Sequence, residues 1–342
     1  MKLIITIAAV LSALVMFFYG AYYIINPDTR APQILDQLSI PHPAVIAHRG
    51  ASVVAPESTT PAYEIAVRLG SDYLEADVQR SADGELIIFH DSDLRRTSNV
   101  SELFPRRQHD PVGSFTLAEL RTLDYGSWFN RAFPLQARPE YEGLEILTLC
   151  ELIAIAESGE HTTGLILESK HPERYPGIEQ QIIDTLLAEG WLKQTESGRV
   201  FDRASAGKAE HTRTIFFSFS PASLRRFQEI APEIPRLLLI NDTMITHLRW
   251  RSWLEVAEPI AHGLGLKGFM AWPWYIAAAH EKQMFVLPYT INYLWQIRVL
   301  AQFQASGFIT DRPELVLGFL QRLPQQPNSA PVRDAIIPAT PR

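Results

Sequence analysis

The chain has 342 residues, a hydrophobic fraction of 46% and a formal net charge of -7 at pH 7. This composition is that of a globular protein with one large or two small domains, and it excludes a chain that is disordered throughout. The negative charge argues against nucleic-acid binding, which depends on clustered Lys and Arg residues, and the single cysteine, Cys150, excludes an intramolecular disulfide bond and a cysteine-rich zinc site.

The first segment, from Leu3 to Ile25, has no charged residue and the length of a helix that crosses a bilayer. Bulky aromatic residues stand where a cleaved signal peptide would have small ones, so we expect an uncleaved, single-pass anchor in residues 1–27. Lys2 is a weak positive-inside signal, which predicts that the following domain lies outside the cytoplasm, on the periplasmic side if the cell is bacterial. A buried helix of the fold is the alternative.

Residues 28–43 contain several Pro and polar residues and are predicted to form a linker. Short apolar runs then alternate with helix-like stretches up to residue 323, which predicts an α/β domain with a parallel sheet. The strand candidates are AVIAHRG, YLEADV, ELIIFHD, GLILES, TIFFSFS, RLLLI, LKGFMAW, MFVLPYTI and GFITD. So many strands favour a closed (β/α)8 barrel of the TIM type, although they are one more than its eight positions, so one run must lie outside the barrel.

Two stretches lack this alternation. Residues 94–147 follow the strand candidate that ends in His90 and Asp91, and they hold Arg, Asp, Gly, Trp128 and several Pro. A long excursion after a barrel strand lies over the C-terminal face, where substrate pockets are built, so we interpret it as an insertion. The Pro- and Gln-rich residues 324–342 are predicted to be a flexible tail.

Acidic residues occur inside two of the predicted strands. Alternation along YLEADV puts Glu75 and Asp77 on one face of their strand, and Glu168 lies near the end of GLILES. Buried carboxylates are costly unless a cation compensates their charge, and three carboxylates suit Mg²⁺ or Ca²⁺. A solvated edge strand is the alternative interpretation.

Two histidines follow predicted strands beside these acids, His48 before Arg49 and His90 before Asp91. Phosphodiester cleavage needs a base to activate the nucleophile and an acid to protonate the leaving oxygen, and histidine titrates near neutral pH. Arg49 and Lys170 add positive groups that can hold phosphoryl oxygens. A lone histidine is more often structural, but two beside a carboxylate cluster favour catalysis.

The stretch HRGASVVAPESTTPAYEIAVRLGSDYLEADVQRSADGELIIFHDSDLRRTS resembles the signature of the glycerophosphodiester phosphodiesterase family. The resemblance extends through FTLAELRTLD, ILESK, FFSFSPASLRRFQEIAPEIPRLLL, LPYTIN and GFITDRPEL, and so covers about residues 45 to 320. It implies a (β/α)8 barrel with an insertion after the third strand, and no helix between the second and third strands. It also implies a role in glycerol and lipid metabolism.

The resemblance implies a role for each candidate residue. The histidines act as general acid and base (His48, His90), the carboxylates bind one divalent cation, Ca²⁺ or Mg²⁺ (Glu75, Asp77, Glu168), and the cations contact phosphate (Arg49, Lys170). The implied route is attack by the glycerol 2-hydroxyl to give a cyclic phosphate, which water then opens. The products would be glycerol 3-phosphate and an alcohol.

The chain departs from the family pattern at two motifs: the usual P-E-N-T is Pro56–Thr59 here, with Ser58 in the third place, and W-T-V-N is Tyr289–Asn292. The resemblance puts Glu57 and Asn292 near the site, in supporting positions. Asp91 is a further supporting candidate that either orients His90 or a metal-bound water, or caps a loop. Glu57 has an alternative role as an acid favoured by a helix N-terminus. Asp311 resembles a family position, but we expect it to position a backbone turn.

Three functions remain in competition. The first is hydrolysis of soluble glycerophosphodiesters, and the second is a lysophospholipase D activity on membrane lysophospholipids, which an anchor would serve. The third is a phosphopolyol-binding protein without catalysis, because a fold alone does not fix a function. Both histidines and all three carboxylates argue against a pure binder. The sequence gives no sign of an obligate protein partner.

Overall fold

The structure is a computed structural model that describes residues 14, 18, 20–202, 211–244 and 250–324. The strands are β1 (Ala44–His48), β2 (Tyr73–Arg80), β3 (Leu86–Ile88), β4 (Leu147–Thr148), β5 (Gly164–Ser169), β6 (Leu192–Gln194), β7 (Val200–Asp202), β8 (Thr214–Ser218), β9 (Arg236–Ile240), β10 (Gly263–Lys267), β11 (Phe285–Tyr289) and β12 (Gly307–Thr310). The predicted tail lies outside the described residues except for Pro324.

The described helices flank these strands, and most of them connect one barrel strand to the next. The α-helices are α1 (Ala31–Gln37), α2 (Thr60–Leu69), α3 (Val100–Leu103), α4 (Leu117–Leu120), α5 (Ser127–Ala132), α6 (Leu149–Glu157), α7 (Ile178–Ala188), α8 (Pro221–Ile230), α9 (Trp250–Ala257), α10 (Pro273–Glu281), α11 (Leu294–Gln302) and α12 (Pro313–Phe319). Short 3-10 helices cover Val112–Ser114, Pro139–Tyr141, Pro172–Arg174 and Gly268–Met270.

Eight parallel strands form a TIM-type barrel, as the sequence predicts. Their hydrogen-bonded order is β11-β10-β9-β8-β5-β2-β1-β12. The ends of this order meet, because the Ser306 N–H donates to the Val286 carbonyl and the Ile291 N–H to the Ile309 carbonyl, each at 2.9 Å. The surplus strand candidate is ELIIFHD, which supplies β3 and lies outside the ring.

Strand β3 returns antiparallel to β2 and pairs with β4 on its other side. The link between β2 and β3 is a turn at Gly84, whose φ is 96°. A turn of this length cannot cross over to a parallel position, so the chain must fold back as a hairpin. The irregular residues 94–147 therefore follow β3, which is the third strand along the chain but lies outside the barrel. The third strand of the barrel is β5.

Towards its amino end the interior of the barrel is apolar, and it includes residues from the segment that we predicted as a linker. Ile34 and Leu35 of α1 are buried in one cluster with Ile46, Ile166 and Leu237 of the barrel strands. The linker prediction for residues 28–43 is corrected here, because an apolar face at helical spacing packs α1 against the domain. One of the Pro residues that suggested a linker, Pro32, occupies the first turn of the helix, where proline is well tolerated.

The prediction of a membrane anchor over Leu3–Ile25 is also corrected. Within the described residues, no helix combines the length and the apolar character that crossing a membrane requires. Residues 20–25 are helical, and a Cβ at Gly20 would lie 3.7 Å from the ring of Trp274 in the domain. The rest of the predicted anchor, residues 1–13, 15–17 and 19, lies outside the described residues. The single-pass anchor and the localisation inferred from it lose their support.

Candidate active site

Strand register brings the predicted residues together at the carboxyl end of the barrel. His48, at the end of β1, stands beside Glu75 of β2, and Asp77 stands beside Glu168 of β5. Because β2 and β5 run parallel and adjacent, their inward-facing carboxylates meet at one level of the barrel. This is the end at which TIM-type barrels carry their active sites.

Glu75, Asp77 and Glu168 form a buried acidic cluster. Each offers one oxygen, and these oxygens lie within 4.8 Å of one another. Burial and the neighbouring carboxylates raise the pKa of Glu75 well above its usual range, and burial raises the pKa of Glu168 to about 8. Burial would also raise the pKa of Asp77, but the positive charge of Lys170 and its other neighbours holds it far below the usual range.

The donors of this cluster fit a hard divalent cation. The Oδ2 atom of Asp77 is buried without a hydrogen-bond partner, and the Arg49 Nε atom, 3.4 Å away, is not aligned to donate to it. Lys170 Nζ lies 3.1 Å from the other Asp77 oxygen and 3.2 Å from Glu168. Carboxylate oxygens are the ligands that Ca²⁺ and Mg²⁺ prefer. This is the one group of three acidic, His or Cys ligands found within the described residues.

The His48 ring is held by a hydrogen-bonded aspartate at Nδ1, on the side of the ring away from the acidic cluster. Its Nδ1 lies 2.6 Å from Asp311 Oδ1, and its Nε2 lies 3.9 Å from Glu75 Oε2. Ser52 Oγ and Asn292 Nδ2 also donate to the Asp311 carboxylate, at 3.1 and 2.5 Å. These bonds keep the pKa of Asp311 low despite its burial, so the carboxylate accepts and Nδ1 carries the proton. Nε2 therefore faces the acidic cluster.

His90 has a similar partner. Its Nδ1 lies 2.6 Å from Asp91 Oδ1. The Gln79 side chain donates one amide bond to each carbonyl flanking His90, at 2.7 Å to Phe89 and 2.8 Å to Asp91. Gln79 is fully buried, and its Oε1 accepts from Tyr175 at 3.0 Å. The backbone on both sides of His90 is thus fixed to β2.

Two cationic side chains lie against the acidic cluster. The Arg49 backbone N–H donates to Glu75 at 2.8 Å, and its guanidinium donates to Glu57 at the same distance. Lys170 sits between Asp77 and Glu168. Burial by itself would lower the pKa of both cations, but Coulombic attraction to the neighbouring carboxylates outweighs it and raises the pKa of each, so both stay charged at neutral pH.

A cavity of about 830 Å³ opens beside these groups. His90, Glu168 and Lys170 contribute to its floor and wall, and the segments after β3, β5 and β8 complete it. Its size suits a small polar ligand, because pockets for such ligands are typically about 300 to 1,000 Å³. The candidate acid His90 and the candidate cation Lys170 therefore border, with Glu168, a space that a phosphodiester can enter.

Residues 48–315 match the model of the glycerophosphoryl diester phosphodiesterase family. The chain belongs to this family. A glycerophosphodiester phosphodiesterase of Bacillus subtilis is 32% identical over 278 residues, which cover 79% of this chain and 84% of the relative. We therefore identify the chain as a phosphoric diester hydrolase of the glycerophosphoryl diester phosphodiesterase family.

Solved structures agree with this membership. A phosphodiesterase of Oleispira antarctica, solved in complex with the product sn-glycerol-3-phosphate, is 26% identical and has a TM-score of 0.62, with 82% of this chain and 97% of that chain covered. A glycerophosphodiester phosphodiesterase of Agrobacterium tumefaciens is 23% identical, with a TM-score of 0.54 over 80% of this chain and 99% of its own. The latter likeness shows the barrel fold alone.

In this member of the glycerophosphoryl diester phosphodiesterase family, sequence reasoning missed three residues near the site. Gln79 shares the face of Glu75 and Asp77 by the period of two, so its position could have been found. Asp311 follows β12, which pairs with β1, and it accepts from His48 where we expected only a turn. Arg96 donates to both Glu57 and Asp91. No periodicity pointed to Arg96, because it lies in the irregular segment after β3.

Proposed function

We propose that this enzyme hydrolyses soluble glycerophosphodiesters to glycerol 3-phosphate and an alcohol by His48 and His90 acid–base catalysis, with one divalent cation. The observation that carries the proposal is the pair of imidazoles, each bonded to an aspartate through Nδ1, around the acidic cluster. Such a bond fixes the tautomer and leaves Nε2 free for proton transfer. The product in the Oleispira antarctica structure is consistent with this reaction.

In the first step, His48 accepts the proton of the glycerol 2-hydroxyl. Burial, with the charge of Arg49, lowers the pKa of His48, so the imidazole is neutral and able to accept at pH 7. The hydroxyl oxygen bonds to phosphorus, the bond from phosphorus to the leaving alcohol breaks, and His90 donates a proton to that alcohol. A cyclic phosphate results.

In the second step, the two histidines exchange roles. His90, now neutral, accepts a proton from water, whose oxygen bonds to phosphorus. The bond between phosphorus and the 2-oxygen breaks, and His48 returns its proton to that oxygen. The product is glycerol 3-phosphate, and both imidazoles regain their starting states.

The remaining residues bind and orient the substrate. Arg49 and Lys170 are charged, lie beside the acidic cluster, and would hold phosphoryl oxygens. Glu75, Asp77 and Glu168 would hold Ca²⁺ or Mg²⁺. A bound cation would supply positive charge that stabilises the charge developing on the phosphoryl group. Glu57, Asp91 and Asn292 support these groups through Arg49, His90 and Asp311.

The test is release of glycerol 3-phosphate from glycerophosphocholine by the full chain, first with a chelator and then with added Ca²⁺ or Mg²⁺. We expect no release with the chelator and restored release with the cation. His48→Ala and His90→Ala should each abolish turnover with the fold intact. Substantial activity in either variant would rule out the acid–base assignment. Release of glycerol 3-phosphate in the presence of the chelator would rule out a required cation.

A lysophospholipid is the second candidate substrate. Large exposed aromatic side chains follow β10 and β11 at the same end of the barrel: Phe269, Trp272, Tyr293 and Trp295. Apolar side chains at that end would suit an acyl chain better than a soluble diester. Choline release from lysophosphatidylcholine, compared with glycerophosphocholine, decides between them. A binding protein without catalysis is disfavoured by the two complete His–Asp pairs.

A further inference from the structure

We propose that Arg96 is a positioning residue that ties the segment after β3 to the barrel, and so holds His90 and Arg49 in their relative places. The proposal rests on the roles given above to those two residues. Arg96 itself touches neither of them. It acts through the carboxylates of Asp91 and Glu57.

The Arg96 guanidinium uses all three of its nitrogens on these two carboxylates. Its Nε donates to Asp91 Oδ2 at 2.5 Å, and its two terminal nitrogens donate to the two oxygens of Glu57, each at 2.7 Å. The pairing with Glu57 is the parallel, two-bond geometry that a planar guanidinium makes and an ammonium group does not. Lysine could not replace it.

Each of these two carboxylates also bonds to one of the candidate functional residues. Asp91 uses its other oxygen, Oδ1, for His90 Nδ1 at 2.6 Å. Glu57 also accepts from Arg49 at 2.8 Å, and Arg49 in turn lies 3.4 Å from Asp77 of the acidic cluster. Arg96 is therefore the central link of one ionic chain that runs from His90 to the acidic cluster.

The backbone that presents Arg96 is fixed although its side chain is partly exposed. Leu94 is fully buried, and Thr97 and Ser98 are buried on the other side of Arg96. Ser98 Oγ donates to the Leu94 carbonyl at 2.6 Å, and Asp93 forms a bridge with Pro111. A guanidinium on a fixed backbone can set the position of its partners, which one on a mobile loop cannot.

Arg121 provides a control from the same segment after β3. It donates to the Glu151 carboxylate at 2.7 Å, and neither residue lines the cavity or bonds to a candidate catalytic group. We compare Arg96→Gln with Arg121→Gln in the full chain. Arg96→Gln should lower kcat about 10- to 100-fold, which is typical for loss of a partner that orients a functional group, with KM changed less than about threefold. Arg121→Gln should leave kcat near the wild-type value.

A second measurement does not need turnover. In ¹⁵N-histidine spectra recorded at a pH at which His90 is neutral, with the His90 signal identified by its loss in His90→Gln, the wild type should carry its single ring proton on Nδ1. Arg96→Gln should shift His90 towards the Nε2–H tautomer, because Asp91 is free to turn away, and Arg121→Gln should not. Arg96→Lys should behave as Arg96→Gln does, since its charge remains but its planar geometry is lost.

Several results would overturn the proposal. An unchanged His90 tautomer in Arg96→Gln, or equal kinetics in the two glutamine variants, would show that Arg96 positions nothing. A rise in KM without loss of kcat would make Arg96 a substrate-binding residue instead. If the loss of kcat in Arg96→Gln disappears when both variants are assayed equally far below their unfolding midpoints, Arg96 has a structural role only. If the wild type fails to hydrolyse the diester while the tautomer shifts as expected, the proposed function fails and the positioning role stands.

Discussion

At the scale of single residues, the site is built from charged groups that constrain one another. Asp311 accepts three hydrogen bonds, from His48, Ser52 and Asn292, while Asp91 is bonded to His90 and Arg96. One aspartate is thus held by neutral donors and the other by a cation. The two histidines consequently have different electrostatic surroundings, which suits one base and one acid.

Asp311→Asn tests the first of these pairs. The amide can donate to His48 Nδ1 and thereby favour the wrong tautomer, so kcat should fall by about 10²-fold or more. Unfolding in urea should change little, because the shape of the side chain is kept. Asp110→Asn, on the surface of the segment after β3, is the control. Activity within threefold of wild type would mean that Asp311 only positions the turn that we first expected.

Ser58→Asn restores the residue that the family pattern has at this position. Ser58 has a φ of 57°, in the left-handed region, where Asn is better tolerated than Ser. We expect a gain in unfolding free energy of about 0.5 kcal/mol. The matched control is Ser39→Asn, because Ser39 also has a positive φ, of 53°, but its side chain is exposed. A loss of stability in Ser58→Asn alone would mean that the buried position cannot accept the larger side chain.

At the scale of elements, alternating apolar runs were enough to predict the barrel strands, because parallel strands buried on both faces have a strong sequence pattern. The carboxylates of β2 and β5 followed from the period of two. The pattern could not show that β3 runs antiparallel, since direction depends on the length of the link before it. It also could not place Arg96, whose position is set by tertiary contacts. Helix α1 was missed because it is short and its apolar face of Ala31, Ile34 and Leu35 is interrupted by Pro32 and polar residues.

Helix α1 gives the prediction at this scale. Leu35 is fully buried at the amino end of the barrel, so Leu35→Ala should lower the unfolding free energy by about 2 to 5 kcal/mol. Gln33→Ala, exposed on the same helix, should change it by less than about 0.5 kcal/mol. Urea unfolding followed by fluorescence measures both. Equal, small effects would restore the interpretation of residues 28–43 as a linker.

At the scale of the whole molecule, the buried carboxylates that would bind the cation lower the stability of the cation-free fold when they ionise. In the cation-free protein, burial raises the pKa of Glu168 to about 8 from its ordinary value of 4.5. A carboxyl whose pKa is raised on folding costs stability as it ionises. The contribution of Glu168 to stability is therefore full below pH 4.5 and is lost as the pH rises through about 8.

Glu168→Gln tests this balance. Without cation at pH 8, the variant should be more stable than the wild type, and its stability should fall less between pH 5 and pH 8. Added Ca²⁺ or Mg²⁺ should raise the unfolding temperature of the wild type, by the equivalent of about 2.7 kcal/mol at 100 times Kd, and that of the variant much less. Glu173→Gln, at an exposed carboxyl, is the control. An equal response of both variants to cation would exclude Glu168 as a ligand.

The hairpin formed by β2 and β3 also affects how such an enzyme can diversify. His48 lies at the end of the barrel strand β1, whereas His90 follows the returning strand β3. Next to His90, the Phe89 N–H donates to the Asp77 carbonyl at 2.9 Å. The long segment after β3 is therefore connected to this returning strand and not to one of the eight barrel strands. Evolution can therefore lengthen or reshape one wall of the pocket, and with it the range of alcohols released, while the inherited carboxylate scaffold stays intact.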